Sequence, residues 1–179
     1  MEIALGLVGV VILIAANGYF VAAEFAFVAS RRAKFVEAAD GGDRKSKRAI
    51  QVHKRLSFML SGAQLGITVT SLVLGFIAEP VLAGALRPLL EAVGVGESAR
   101  IGVGIALAFV FAIVAQMVFG ELAPKNLAIA KPEPVARSLA GSTLVFMKVA
   151  SPLIKLFDGA ANRLLGFLGI ESVEELHGS

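Results

Sequence analysis

The amino-acid sequence predicts an all-α membrane protein with three transmembrane helices, a basic juxtamembrane helical segment and a short interfacial or re-entrant helix. The first observation is composition: 56% of the 179 residues are hydrophobic and 17% are charged, against about 25% charged residues in soluble domains. The second is patterning, because three stretches of about twenty residues contain no charge. The third is the concentration of basic residues in the loop between the first two stretches.

The first predicted span covers residues 3–30. A signal peptide would begin with basic residues, whereas the only early charge here is Glu2, and the segment continues past Glu24 toward Ser30. We therefore predict a retained span. The second and third spans are predicted at residues 56–78 and 101–120, since each is apolar over about the length that a bilayer requires.

The distribution of basic residues predicts the orientation of the chain. Residues 79–100 contain only two such residues, and six more follow the third span. The positive-inside bias therefore places the N-terminus outside and the C-terminal part in the cytoplasm. We expect a multi-pass protein of the cell (inner or plasma) membrane. The first loop, residues 31–55, has nine of them: Arg31, Arg32, Lys34, Arg44, Lys45, Lys47, Arg48, Lys54 and Arg55.

This basic loop is predicted to form two helices separated by Gly41 and Gly42, lying against lipid headgroups. His53 in this loop is interpreted as an interfacial residue rather than a metal ligand. After the third span, residues 138–153 have an apolar face, but only ten consecutive residues are free of charge. That length is too short for an upright span and predicts an interfacial or re-entrant helix.

Polar residues follow one face of the second span at spacings of three and four. The face has two interpretations: helix packing, which the small residues Gly62 and Gly66 support, or an oxygen-lined path. Packing is favoured for the two serines near the cytoplasmic end, and the alternatives stay open for the deeper residues. Thr68 and Ser71 are the candidate ligands by depth. The face comprises Ser57, Ser61, Gln64, Thr68 and Ser71.

The first span carries Asn17, Gly18 and Glu24. Asn17 and Glu24 are seven residues apart and share a helix face, and Gly18 weakens the helix beside Asn17. An ionisable residue within a span indicates a functional site. The alternative is that Glu24 lies at the interface and pairs with Arg31 or Arg32.

The third span ends in the sequence VFGELAPKN, residues 118–126. Pro124 has no N–H, so in a helix the Gly120 carbonyl loses its partner. A free carbonyl is then expected beside the Glu121 carboxylate, as in the broken helices of transporters. The alternative is a helix stop at the membrane surface, with Glu121 paired to Lys125.

The available ligands are oxygen atoms of carboxylate, carbonyl, hydroxyl and amide groups. No cysteine is present, which excludes disulfides, thiolate chemistry and cysteine-based zinc sites. Oxygen donors favour hard cations: magnesium, calcium, manganese or sodium. No serine–histidine or paired-aspartate arrangement lies in the spans, so an enzyme is not expected. The net charge of +3 and its placement suggest a membrane surface as partner, not nucleic acid.

Three ordered stretches, ANGYFVAAEFAFVASRR (16–32), QLGITVTSLVLGFIAEP (64–80) and VFGELAPKNLAIA (118–130), resemble the transmembrane domain of CorC and CNNM proteins. The resemblance covers residues 1–150. It implies magnesium efflux, coupled to sodium entry, by a homodimer whose cytosolic CBS-domain pair binds ATP. Alternating access around an ion stripped of water and held between the three spans is the expected mechanism. A membrane-anchored divalent-cation sensor that transports nothing is the alternative function.

The resemblance also assigns candidate ligands. The acidic ion-site motif of the family maps onto Gly120 and Glu121, and its first-span motif maps onto residues 17–24, without deciding between Asn17, Gly18 and Glu24. Residues 151–179 resemble the start of the linker to the CBS pair. We therefore expect the chain to be a piece of a longer protein, to lack ATP regulation, and to end in a cloning remnant, Gly178–Ser179.

Overall fold

A computed structural model describes residues 2–168, and every regular element in this range is a helix. The chain begins with one long helix, two short helices and a second long helix. A third long helix follows, interrupted by a π-helical turn, and two further helices complete the fold. The elements are α1 (Glu2–Ala29), α2 (Arg32–Asp40), α3 (Arg44–His53), α4 (Leu56–Ala92), α5 (Glu97–Ala115), the π-helical segment (Gln116–Leu122), α6 (Ala123–Ala130), α7 (Pro132–Val149) and α8 (Ser151–Phe167).

Three helices in the described range are long and apolar enough to cross a membrane: Ile3–Ala29, Leu56–Ala92 and Glu97–Ala130. The prediction of an all-α membrane protein with three spans is therefore confirmed. The second and third helices are longer than their predicted apolar stretches, at 37 and 34 residues. At about 1.5 Å per residue each exceeds a hydrocarbon core of about 30 Å, so both continue beyond it or cross it at a tilt.

The third helix continues through the position where a break was expected. Pro124 lies in the first turn of α6, where its missing N–H interrupts few helical bonds. The π-helical segment immediately before it carries the chain from α5 into α6 as one span. The expected helix break is thus a widened turn.

Small residues of α4 let the other helices approach closely. A Cβ on Gly66 would lie 2.7 Å from the ring of Phe20 on α1, and one on Gly62 would lie 2.8 Å from Ile154 on α8. Phe20 also stacks with Phe146 of α7, with ring centroids 4.8 Å apart. Packing is therefore the role of the Gly62–Gly66 face, as the first interpretation proposed.

The basic juxtamembrane segment forms α2 and α3, which confirms two helices separated by Gly41 and Gly42. Gly42 adopts a positive φ of 94°, which glycine tolerates without a Cβ clash. Asp43 caps α3 by accepting hydrogen bonds from the Ser46 hydroxyl and the Lys45 and Ser46 backbone N–H groups. The bond from the Ser46 hydroxyl is the main cause that lowers the pKa of Asp43.

His53 joins this segment to the first span. Its Nε2 atom lies 3.0 Å from the Ser30 hydroxyl, and its ring packs against Phe27 and Phe35 at centroid distances of 5.8 and 5.5 Å. Burial, and secondarily the positive charge of Arg32, lowers the pKa of His53. These contacts give His53 a structural role at the end of α1.

Because of His53, we expect the free energy of unfolding of the purified protein to decrease as the pH is lowered from 7.5 to 5.5. A histidine with a lowered folded-state pKa favours folding above its unfolded pKa of about 6.5, and this contribution is lost as the pH falls through the folded value. The expected change is a few degrees in the melting temperature in detergent. His53→Gln should flatten the dependence, and an unchanged slope in that variant would assign the effect to other groups.

The segment after the third span forms two helices, α7 and α8, which meet at an angle of 74°. Pro152 lies in the first turn of α8 and fits a fresh helix start. By length and composition the pair is compatible with a broken span or a re-entrant loop. The single short helix predicted over residues 138–153 is thus divided at Ala150 between two helices, and its interfacial or re-entrant placement stays a prediction. The predicted linker begins inside α8, and its remainder, residues 169–179, lies outside the described residues.

Candidate ion-binding site

Asn17 is the centre of a polar cluster between the three spans, and its side chain is fully buried. Its Nδ2 atom donates a hydrogen bond to the Gly120 carbonyl oxygen at 3.0 Å. Its Oδ1 atom accepts hydrogen bonds from the hydroxyls of Thr70, at 2.9 Å, and Ser71, at 3.0 Å. One amide group therefore connects α1, α4 and the π-helical segment.

The π-helical segment comes close to α1 because α1 has a glycine, Gly18, at the contact. A Cβ on Gly18 would lie 3.1 Å from the Phe119 carbonyl oxygen and 3.4 Å from the Pro124 ring. Pro124 has no backbone N–H. It therefore cannot donate to the Gly120 carbonyl, four residues earlier as in an α-helix, or to the Phe119 carbonyl, five residues earlier as in a π-helix. The predicted Gly120 acceptor is present, and the Asn17 amide occupies it.

Gln116 extends the cluster along the third span. Its Nε2 atom donates to the Ser71 hydroxyl at 3.3 Å, and Ser71 in turn donates to Asn17. The Gln116 Oε1 atom is buried without a hydrogen-bond partner, and a Cβ on Gly120 would lie 2.7 Å from it. An unpartnered buried oxygen is costly, and here it offers a free lone pair beside the Gly120 backbone.

Glu121 lies at the edge of the cluster, and its side chain is exposed. It borders a cavity of about 330 Å³ between α4 and the third span, together with Ser71, Gln116 and Glu79. The alternative ion pair with Lys125 is not formed: no ion pair of Glu121 within 4.0 Å occurs among the described residues. The Lys125 ammonium group instead lies over the Phe25 ring, 4.8 Å from its centroid.

Two sequence candidates lie apart from the cluster. Thr68 is exposed and its hydroxyl donates to the Gln64 carbonyl within α4. Glu24 is half-buried about two helical turns from Asn17. In the described range it forms no ion pair with Arg31 or Arg32.

The polar face of α4 is divided between different partners. Ser71 joins the cluster, whereas Ser61 donates to the Asp158 carboxylate of α8 at 2.8 Å. Thr70 and Gln116 belong to the cluster and were missed by the sequence analysis. Each had a signal: Thr70 continues the four-residue spacing of Gly62 and Gly66, and Gln116 is the only amide side chain within residues 101–120.

The chemistry of the cluster suits a hard cation. In the part of the chain that the structure describes, no group of three or more His, Cys, Asp or Glu residues could hold a metal. The oxygens are instead neutral amide, hydroxyl and carbonyl atoms, with the Glu121 carboxylate on the adjoining cavity. Such donors match magnesium, calcium or sodium, and do not favour zinc or copper.

The fold and this site define a multi-pass α-helical membrane protein with a polar, oxygen-lined cluster between its spans. The family model described as the cyclin M transmembrane N-terminal domain (CNNM) matches residues 8–177. The chain therefore belongs to the CNNM family. This is a membrane transporter-type family, and membership is consistent with divalent-cation transport or a related membrane role.

Bacterial relatives cover nearly the whole chain. The UPF0053 protein MT1890 of Mycobacterium tuberculosis is 42% identical over 170 residues, which are 95% of this chain and 37% of that protein. The UPF0053 protein YugS of Bacillus subtilis is 37% identical over 171 residues, or 96% of this chain and 40% of that protein. The chain thus spans about two-fifths of the length of these curated relatives.

Proposed function

We propose that this chain is the membrane domain of a magnesium transporter that exports Mg²⁺ from the cytoplasm. The observation that carries the proposal is the meeting of oxygen donors from three separate spans, namely Asn17, Ser71 and the Gly120 carbonyl. The Gln116 Oε1 atom beside them is buried without a hydrogen-bond partner, which supports a cation as its partner when the ion is bound. Family membership is consistent with this role.

Ion binding requires the cluster to exchange hydrogen bonds for metal contacts. Asn17 Oδ1 accepts two hydroxyl hydrogen bonds in the described arrangement, and a cation would take over these lone pairs as the hydroxyls rotate. Thr70 can do so readily, because its hydroxyl also lies within 2.8 Å of the Gly66 carbonyl. Mg²⁺ takes six ligands at about 2.0–2.1 Å and keeps several waters. The neutral oxygens would therefore form part of its shell.

Glu121 supplies the negative charge that the neutral cluster lacks. Its cavity adjoins Ser71 and Gln116, so a hydrated cation attracted by the carboxylate would reach the cluster over a short path. A carboxylate in a membrane-spanning helix is costly unless it serves such a role. Glu79 borders the same cavity and would give the ion a second acidic contact toward the other end of α4.

The proposed cycle is alternating access. The cluster binds Mg²⁺ from the cytoplasmic side, the spans rock to expose it outward, and sodium resets the site. The π-helical segment is the proposed bending point, since π turns replace part of the regular α-helical hydrogen bonding and often mark functional sites. The N-terminus would lie outside the inner or plasma membrane and the C-terminal part in the cytoplasm.

Assembly and regulation are part of the same proposal. Two copies would form a homodimer in the bilayer, and ATP would act only through a cytosolic CBS pair in longer proteins of the family. The chain spans about two-fifths of its curated relatives, so the relatives have room for such domains.

A divalent-cation sensor is the second candidate function. It is favoured by one observation: Asn17 already has a hydrogen-bond partner on both its nitrogen and its oxygen, as expected of a centre that remains closed. In that case the cluster would report ion binding to a partner and would not open to both sides.

Flux through proteoliposomes separates the two functions. The chain is reconstituted with a magnesium-sensitive dye inside the vesicles, and external Mg²⁺ is added with sodium in the lumen. We expect a lumenal Mg²⁺ rise well above that of protein-free vesicles, abolished when the sodium gradient is reversed. Binding of Mg²⁺ without any lumenal change would reject transport and favour the sensor.

A further inference from the structure

A second cavity, of about 620 Å³, lies where α3 ends and α4 begins, and residues of α8 form its other side. It is separate from the Asn17 cluster and shares no lining residue with the Glu121 cavity. Because α4 enters its apolar stretch at Leu56, the cavity lies at the level where a span meets the headgroups. The proposed ion transport makes no use of it.

The charged residues around this cavity are mainly basic. Lys54 and Arg55 come from the α3–α4 junction and Lys155 comes from α8, whereas Asp158 is the one carboxylate of the lining. Asp158 accepts a hydrogen bond from the Ser61 hydroxyl at 2.8 Å. In the described range none of the three cations has a carboxylate within 4.0 Å. Their charges are therefore available to a ligand.

Arg55 is held in place without being neutralised. Its guanidinium carbon lies 4.4 Å from the centroid of the Phe58 ring, a stacking contact that orients the fork but leaves its N–H donors unused. The Ser57 hydroxyl and the Asn162 amide also line the cavity and add neutral donors. Planar guanidinium, ammonium and hydroxyl donors around one concave site match the oxygens of a phosphate group.

The surface of α8 fits a position at the lipid boundary. The cavity residues of α8 (Lys155, Asp158, Gly159, Asn162) recur at helical spacing on one face. The opposite face exposes apolar side chains: Leu153, Leu156, Phe157 and Leu164. Such a helix lies in the interface with its apolar face toward lipid, which keeps the cavity at headgroup depth.

We propose that this cavity is a binding site for a phosphate group, presented by an anionic lipid headgroup or by a soluble phosphate compound. The three basic side chains would bind the phosphate oxygens, and the ligand would connect the α3–α4 junction to α8. Occupancy would fix the juxtamembrane helices against the start of the second span.

Native mass spectrometry of the delipidated protein tests the proposal, with short-chain phosphatidylglycerol as probe and phosphatidylcholine as the neutral comparison. The cavity variant carries Lys54→Gln, Arg55→Gln and Lys155→Gln. The matched control carries Arg44→Gln, Lys45→Gln and Lys47→Gln, which removes the same charge from exposed positions on α3. We expect the cavity variant to bind phosphatidylglycerol at least about tenfold more weakly than the control.

Inorganic phosphate distinguishes the two sources. Displacement of the lipid by millimolar phosphate, in the wild type and the control, would support a soluble phosphate ligand. Retention of the lipid under the same conditions would support a headgroup site. Equal lipid affinity in the cavity variant and the control would overturn the proposal, because binding would then follow total charge alone.

Discussion

Glu121→Gln is expected to reduce Mg²⁺ flux into proteoliposomes by about a hundredfold or more. The substitution keeps the shape of the side chain and removes one of the two carboxylates, Glu121 and Glu79, that border the cavity. A carboxylate next to a divalent cation contributes several kcal/mol at a protein-like effective dielectric, and each factor of ten corresponds to about 1.4 kcal/mol. The measurement is the initial rate of lumenal dye response at saturating and subsaturating Mg²⁺.

Folding should be unaffected in this variant. Glu121 is exposed and has no ion pair among the described residues, so the melting temperature in detergent should match that of the wild type. Glu37→Gln on α2 is the matched control, because it removes one exposed carboxylate outside the spans. Wild-type flux in Glu121→Gln would count decisively against Glu121 as the charge that attracts the ion.

Asn17→Leu is expected to abolish transport and to destabilise the protein by about 1–3 kcal/mol. Leucine has the same number and branching of side-chain heavy atoms as asparagine, but it cannot donate to the Gly120 carbonyl or accept from Thr70 and Ser71. The Gly120 oxygen would then be buried without this donor, and the three spans would lose their common polar contact. Thermal unfolding in detergent and proteoliposome flux measure the two effects separately.

Thr68→Val is the matched variant for this prediction. It also removes a polar group from a span, but the Thr68 hydroxyl bonds only within α4, to the Gln64 carbonyl, and the side chain is exposed. We expect near-wild-type stability and flux. If Thr68→Val and Asn17→Leu lost flux equally, the exposed face of α4 would belong to the ion path and the cluster would not be its centre.

The fold was predictable because hydropathy over about twenty residues is a strong signal. The helix bounds were less so: α4 continues through Glu79 and Arg87 to Ala92, since charged residues end an apolar stretch but do not end a helix. Pro124 was interpreted as a break because proline disrupts regular α-helix. A π-helical turn just before it, which depends on tertiary contacts with α1, has no equally clear sequence signature.

The candidate site was predicted in part. Asn17, Gly18, Ser71 and Gly120 meet, because polar and small residues in a span face other helices more often than lipid. Which polar residue of α4 turns inward depends on the rotation of that helix, and sequence spacing alone does not fix it. Thr70, and not Thr68, therefore joins the cluster. The two residues lie about half a helical turn apart, and the close packing of Gly66 against Phe20 decides which of them faces α1.

The π-helical segment also makes the number of residues in the third span matter as much as their identity. A π turn accommodates one residue more than the regular helix would, and one residue corresponds to a rotation of about 100°. Loss of a single residue between Gln116 and Leu122 would restore ordinary winding and leave Pro124 and Lys125 on their present side, but the Gly120 carbonyl would lose the widened turn that presents it to Asn17. An insertion in the same segment has no second π turn to absorb it and would rotate the rest of the span by about 100°. We therefore expect the segment to tolerate a deletion better than an insertion.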